Sequence, residues 1–221
     1  MLEVARQAIA DGVNQYPPGR GMPVLRQAIA ADRGIDAVVL ERQTEGHVRS
    51  RVRAGVIENS TVDVLTELGV AERLHREALV HKGFYIRLDR TTHHLDFHRL
   101  SSRNAYVYGQ AEIVADLIDG LRVIGREPVF SADDVSIHDF EGSAPSVEFT
   151  VDGVRHHVDA DVIAACDGFH GVSRAAIPEG ERREYEKVYP FGWLGVLSRT
   201  PPLLDELLYA NHPRGFALAS M

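Results

Sequence analysis

At 221 residues, with 44% hydrophobic and 25% charged side chains, the chain has the balance of a globular protein able to bury a sizeable core. A formal charge of −8 argues against nucleic acid as a partner, because phosphate binding wants a basic surface. No apolar run nears the roughly 18 residues that span a bilayer, the first residues lack the layout of a secretory signal, and one cysteine excludes an internal disulfide framework, so a cytoplasmic location without membrane attachment is expected.

Residues 1–30 read as two short helices around the turn-forming stretch Asn14-Gln15-Tyr16-Pro17-Pro18-Gly19-Arg20-Gly21. The run Gly34 to Glu41 is apolar at nearly every position, which predicts a short buried parallel strand. Arg49, Arg51 and Arg53 alternate, so an extended segment would place them on one face. A helix is expected next, with Ile57, Thr61, Val64, Leu65 and Leu68 on one side and Gly69 as its terminator. Between His81 and Phe97 the alternation of Phe84, Ile86 and Leu88, then Leu95 and Phe97, predicts strands. Tyr106 to Gln110 ends another strand, and Ile113, Leu117 and Leu121 mark the helix that follows. Val147 to Val151 alternates into Asp152-Gly153, a hairpin signal leading to Arg155–Val158. A second buried strand is expected over Val162-Ile163-Ala164-Ala165, entering Cys166-Asp167-Gly168. The fold class is mixed α/β and α+β, a partial Rossmann-like nucleotide-binding layer joined to part of an antiparallel sheet.

On the residues alone, several motifs keep two readings. Glu41 at a strand end suits ribose hydroxyls, and equally suits a solvated surface acid; no Gly-x-Gly-x-x-Gly loop precedes it. The three arginines suit a pyrophosphate or a solvated basic loop. Asp167 between small residues suits a dinucleotide, and is also a good turn former. Eleven histidines invite a metal, but His93, His94, His98, His156 and His157 lack ligand spacing with a matching acid, so no metal site is expected. Gly168-Phe169-His170-Gly171-Val172-Ser173 is not a nucleophile elbow.

Taken together, Glu41-Arg42-Gln43-Thr44, Arg51-Val52-Arg53-Ala54-Gly55, Tyr108-Gly109-Gln110, Cys166-Asp167-Gly168-Phe169-His170-Gly171, Tyr189-Pro190-Phe191-Gly192-Trp193-Leu194-Gly195 and the run Tyr209 to Leu218 resemble the 4-hydroxybenzoate 3-monooxygenase family of FAD-dependent aromatic hydroxylases. The likeness covers about residues 34–220, in matching order and spacing. It implies FAD as cofactor, NADPH as co-substrate, a small aromatic acid (4-hydroxybenzoate) as substrate and a homodimer. By that resemblance Glu41, Arg53, Gln110 and Asp167 would hold FAD, while Arg42, Gln43, Arg51 and His170 would contact NADPH. Tyr209 would hydrogen-bond the substrate phenol and help ionise it, His81 would end its proton relay, and Ser220 would bind the substrate carboxylate. A phenolate is the better nucleophile, so a relay from tyrosine to histidine suits reaction near neutral pH.

Departures from the family set a second expectation. The family's opening strand and glycine loop have no counterpart before Glu41, and the chain stops before the family's carboxylate-binding arginine and second relay tyrosine. Residues 1–30 instead resemble part of a class I aminotransferase, without that family's lysine or phosphate site. The organisation expected is therefore an aminotransferase-like segment over 1–33, an incomplete FAD-binding domain over 34–185 and the start of a substrate-binding domain over 186–221, joined as a rearranged reading frame with impaired catalysis. The competing expectation is a non-catalytic chain that holds no cofactor.

Overall fold

The computed structural model describes residues 34–51, 55–192, 194–196 and 198–220. The segment expected over 1–33, and Arg53, lie outside the described residues. In chain order the elements are helix α1 (Glu45–Ser50), strand β1 (Val56–Glu58), helices α2 (Asn59–Glu67) and α3 (Glu72–Glu77), strands β2 (Leu79–His81), β3 (Gly83–Leu88) and β4 (Thr91–Asp96), and helix α4 (Phe97–Ser101). There follow β5 (Ala105–Val107), α5 (Gln110–Val123), β6 (Asp133–His138), β7 (Ser146–Val151), β8 (Val154–Asp159), α6 (Val172–Ala175), β9 (Leu208–His212) and β10 (Gly215–Ala219).

These elements divide between two compact units, one built from 34–45 with 121–182 and the other from 46–120 with 183–220; the boundary falls inside α5. The first unit holds the sheet β6-β7-β8, with Phe149 and Ala132 buried. Its hairpin turns at Asp152 and Gly153, both left-handed with φ of 50° and 77°, the pairing that a two-residue turn of this hand requires. The second unit holds the sheets β1-β5-β2 and β10-β9-β3-β4.

Helix α2 buries Val62 and Leu65 and ends where Gly69 takes φ +72°, so that Val70 N–H reaches back to the Leu65 carbonyl at 3.0 Å. Helix α5 buries Ile113, Leu117, Ile118 and Leu121, none more than 2% exposed. Arg73 of α3 ties this helix down: its Nε donates to Asp116 at 2.7 Å and its Nη2 to the Glu112 carbonyl at 3.0 Å, while the Tyr108 hydroxyl donates to Asp116 at 2.7 Å. Burial, then the Asp116 hydrogen bond, pushes the Tyr108 phenol well above its ordinary range. Burial works against the charge on Arg73, but Asp116 and Glu112 outweigh it and raise that pKa too. Because Leu117 is fully enclosed, Leu117→Ala should cost about 2–5 kcal/mol of unfolding free energy, read from denaturant melts.

Four expectations need correction. Residues 34–41 form no strand beyond a single parallel bridge, Leu40 to Val129, and Ile35 and Val38 are 58% and 55% exposed. The parallel direction is as expected; the burial is not. Residues 162–165 form no strand either, and Val162 is 80% exposed. An apolar run becomes a buried parallel strand only where neighbours flank both its edges, and among the described residues neither run has them. Arg49 lies in α1, bonded to Asp119 at 2.5 Å, so Arg49 and Arg51 are not alternate residues of an extended segment and share no face. Ile57, assigned to a helix face, belongs to β1.

Candidate functional site

The four-stranded sheet of the second unit presents Tyr209 on a half-open apolar face. Strand β9 runs parallel to β3 with Ile86 opposite Tyr209, and antiparallel to β10 with Leu218 opposite Tyr209. Opposed residues share a face, which gathers Phe84, Ile86, Tyr209, Phe216 and Leu218. The Tyr209 ring meets Phe84 edge-on at 5.5 Å and tilts against Phe216 at 6.1 Å. Phe216 and Leu218 are each 47% exposed, and no described residue hydrogen-bonds the Tyr209 hydroxyl. Such a face suits a flat aromatic ring with one polar contact. Ser220 follows β10 directly and lines a shallow depression with Leu204, Glu206 and Leu208 at the end of the sheet.

His81 ends β2, opposite Ala105 of β5, and is 2% exposed. Its Nε2 is buried without a hydrogen-bond partner among the described residues. A buried, unpaired imidazole nitrogen is costly, and is often kept where a proton must be taken or given. The turn after it is held by Glu206, whose Oε1 accepts from Lys82 N–H at 2.7 Å and Gly83 N–H at 2.9 Å while its Oε2 meets His94 Nε2 at 2.6 Å. Burial alone would raise the Glu206 pKa. The His94 contact and the two backbone donors prevail and hold it below the ordinary 4.5. A depressed carboxylate stabilises the fold above its unfolded pKa and loses that contribution as pH falls through the folded value. The stability gap between the parent and Glu206→Gln should therefore be full above pH 4.5 and close below it, as read by denaturant melts across that range.

A second feature of the same unit suits an anionic group. A Cβ on Gly55 would stand 3.2 Å from the Gly109 Cα, and Tyr108 N–H donates to the Gly55 carbonyl, so two glycines let two backbones close together. Gly109 leads directly into α5, whose first residue is Gln110. The donor set of helix start and Gln110 side chain fits the phosphates of FAD.

The first unit holds the other candidates. Gln43 N–H donates to Glu41 Oε1 at 2.8 Å, closing a tight turn that leaves Arg42 exposed. Asp167 Oδ2 accepts from Ser173 N–H at 2.8 Å and fills the space a Cβ on Gly171 would need. Its carboxylate thus pins the loop onto the start of α6. Arg174 of α6 stacks over Phe169 of that loop at 3.6 Å, and His170 is exposed. Tyr209, His81, Ser220, Gln110 and Arg51 therefore belong to one unit, and Glu41, Arg42, Gln43, Asp167 and His170 to the other. Sequence reasoning passed over Phe84, Phe216 and Glu206, which frame Tyr209 and the turn after His81. The alternation at Phe84 was visible, but its strand partner lies far along the chain.

Residues 28–221 match the family of FAD binding domains. Over 189 residues the chain is 42% identical to p-hydroxybenzoate hydroxylase from Acinetobacter baylyi, covering 85% of this chain and 46% of that protein. The chain thus spans about half the length of that relative. A stretch of 33 residues is 67% identical to the probable N-succinyldiaminopimelate aminotransferase DapC of Mycobacterium tuberculosis, covering 15% of this chain and 8% of that one. The solved structure of p-nitrophenol 4-monooxygenase PnpA from Pseudomonas putida is similar at a TM-score of 0.54 and 17% identity, over 65% of this chain and 38% of its own.

Proposed function

Because the chain belongs to the FAD binding domain family, alongside flavin-dependent aromatic hydroxylases, we propose that its reaction is the NADPH- and oxygen-dependent 3-hydroxylation of 4-hydroxybenzoate to 3,4-dihydroxybenzoate. The observation that carries this reading is Tyr209, set in an aromatic, half-open face with its hydroxyl bonded by no described residue, in the same unit as His81, a buried histidine whose Nε2 has no partner among the described residues. The Tyr209 hydroxyl donates to the substrate's phenolate oxygen and so favours the ionised form, and His81 takes the released proton onward. Phe84 and Phe216 orient the ring and exclude water, and Ser220 donates to the substrate carboxylate. Arg53, Gln110, Glu41 and Asp167 hold FAD, with Arg42, Gln43, Arg51 and His170 on the NADPH side. FAD, when bound, supplies the oxygen chemistry.

In this reading residues 34–185 serve the cofactor and 186–221 begin the substrate-binding part, in a cytoplasmic homodimer with no nucleic-acid partner. A second reading, a chain that holds no cofactor, draws on the exposure of its apolar segments: Val162, Leu194 and Val196 are 80%, 88% and 76% exposed. Flavin retention separates the two. The purified chain is saturated with FAD, free flavin is removed, and absorbance is recorded per mole of protein. Near-stoichiometric flavin is the expected result; none retained favours the second reading.

A further inference from the structure

We propose that Glu206 is a positioning residue that ties the turn after His81 to the strand carrying Tyr209, a role that rests on the assignment of those two residues above. Lys82 follows His81 directly, and Glu206 stands three residues before Tyr209. Both N–H groups of the turn, Lys82 and Gly83, converge on one carboxylate oxygen at 2.7 and 2.9 Å. His94 of β4 closes on the other oxygen at 2.6 Å, and the Glu206 side chain is only 12% exposed. The next rung is Tyr85 N–H to the Leu207 carbonyl at 2.8 Å, after which Tyr85 pairs with Leu208 and Ile86 with Tyr209. The carboxylate therefore stands at the head of the parallel ladder and sets its register.

Register matters here because a slip of one residue would turn Tyr209 to the opposite face of the sheet. A parallel pair has no short hairpin to fix it, so the anchor must come from side chains. Gly83 completes the site: a Cβ there would stand 2.6 Å from His94 Nε2 and still nearer the Leu95 carbonyl oxygen, so His94 is free to lie over the turn only because the residue is glycine. Tyr85 backs the imidazole at 4.6 Å between ring centres.

The test uses the accessibility of His81. Its Nε2 has no hydrogen bond to lose among the described residues, so burial alone keeps it from an acylating reagent such as diethyl pyrocarbonate. In the full chain, Glu206→Ala should raise the modification rate at His81 at least about tenfold through local opening, with exposed His47 unchanged as read by mass spectrometry. Glu206→Gln keeps an oxygen for both N–H groups and should stay within about threefold of the parent. A rate within about twofold of the parent in Glu206→Ala, or no rescue by Glu206→Gln, overturns the proposal. Should Glu206→Ala fail to fold, the unmutated chain still decides. The Lys82 and Gly83 amide proton shifts should move together in one acid transition below pH 4.5, following Glu206; independent or flat profiles overturn the proposal. Neither flavin nor 4-hydroxybenzoate enters these measurements, so the positioning role and the hydroxylase reading can fail separately.

Discussion

Gly83→Ala is expected to destabilise the second unit by about 3 kcal/mol, at the upper end of what a single added methyl costs in a packed site. The reason is the identity of the obstacle. The new Cβ would press on the Leu95 carbonyl oxygen, which is backbone, and on His94 Nε2 at 2.6 Å. Backbone cannot swing aside as the end of a flexible side chain can, so β3 and β4 must part where Gly83 pairs with Asp96. Moving His94 also breaks its 2.6 Å contact with Glu206 and leaves a mostly buried carboxylate with one partner fewer. For a chain of this size the melting temperature should fall by about 6–12 °C. Gly46→Ala supplies the contrast. Gly46 lies in α1 with open space around its Cβ position, and alanine there should be neutral or stabilise by about 0.5–1 kcal/mol. Thermal melts of the two variants check both; a Gly83→Ala melt matching the parent would mean that the turn after His81 is not closed over by β4.

What was legible in the sequence was what local chemistry decides. The β7–β8 hairpin announces itself because Asp152-Gly153 supplies two left-handed residues between alternating strands. Helix α5 is readable from Ile113, Leu117 and Leu121 because its buried stripe repeats at the helical period. The two misread apolar runs share one cause. Continuous apolar runs at 34–41 and 162–165 say that a segment would be content in the middle of a sheet, but not that neighbours arrive. Glu206 is the opposite case: an acid in the segment Pro201-Pro202-Leu203-Leu204-Asp205-Glu206 carries no local sign that two amides from a distant turn will meet it. The parallel pairing of β3 with β9 is invisible for the same reason, since no turn links the strands. The part of the candidate site that sequence did reach, Tyr209 and His81, came through resemblance; the aromatic frame of Phe84 and Phe216 came only with the sheet register.

Tyr209→Phe should leave the fold alone and strike the chemistry. Phenylalanine keeps the ring that meets Phe84 at 5.5 Å and Phe216 at 6.1 Å, and removes only a hydroxyl that no described residue hydrogen-bonds. Melting should therefore match the parent within about 0.5 kcal/mol, as for a surface change that breaks no contact. If Tyr209 favours the substrate phenolate, however, the same change removes a positioned proton partner, a contribution of about 10²–10⁴ in rate. Two readouts separate this from a loss of binding. Absorbance of bound 4-hydroxybenzoate reports its ionisation directly, and the pH of that transition should rise in the variant; formation of 3,4-dihydroxybenzoate in the flavin-loaded chain should fall by the factor above. If His81 takes the proton onward, His81→Gln should slow the ionisation of bound phenol after a pH jump more than it moves the midpoint, because closing a proton path changes the rate and not the equilibrium. A Tyr209→Phe variant that ionises the phenol as the parent does would leave Tyr209 as one more aromatic of the sheet face, and would move the proton contact to another group.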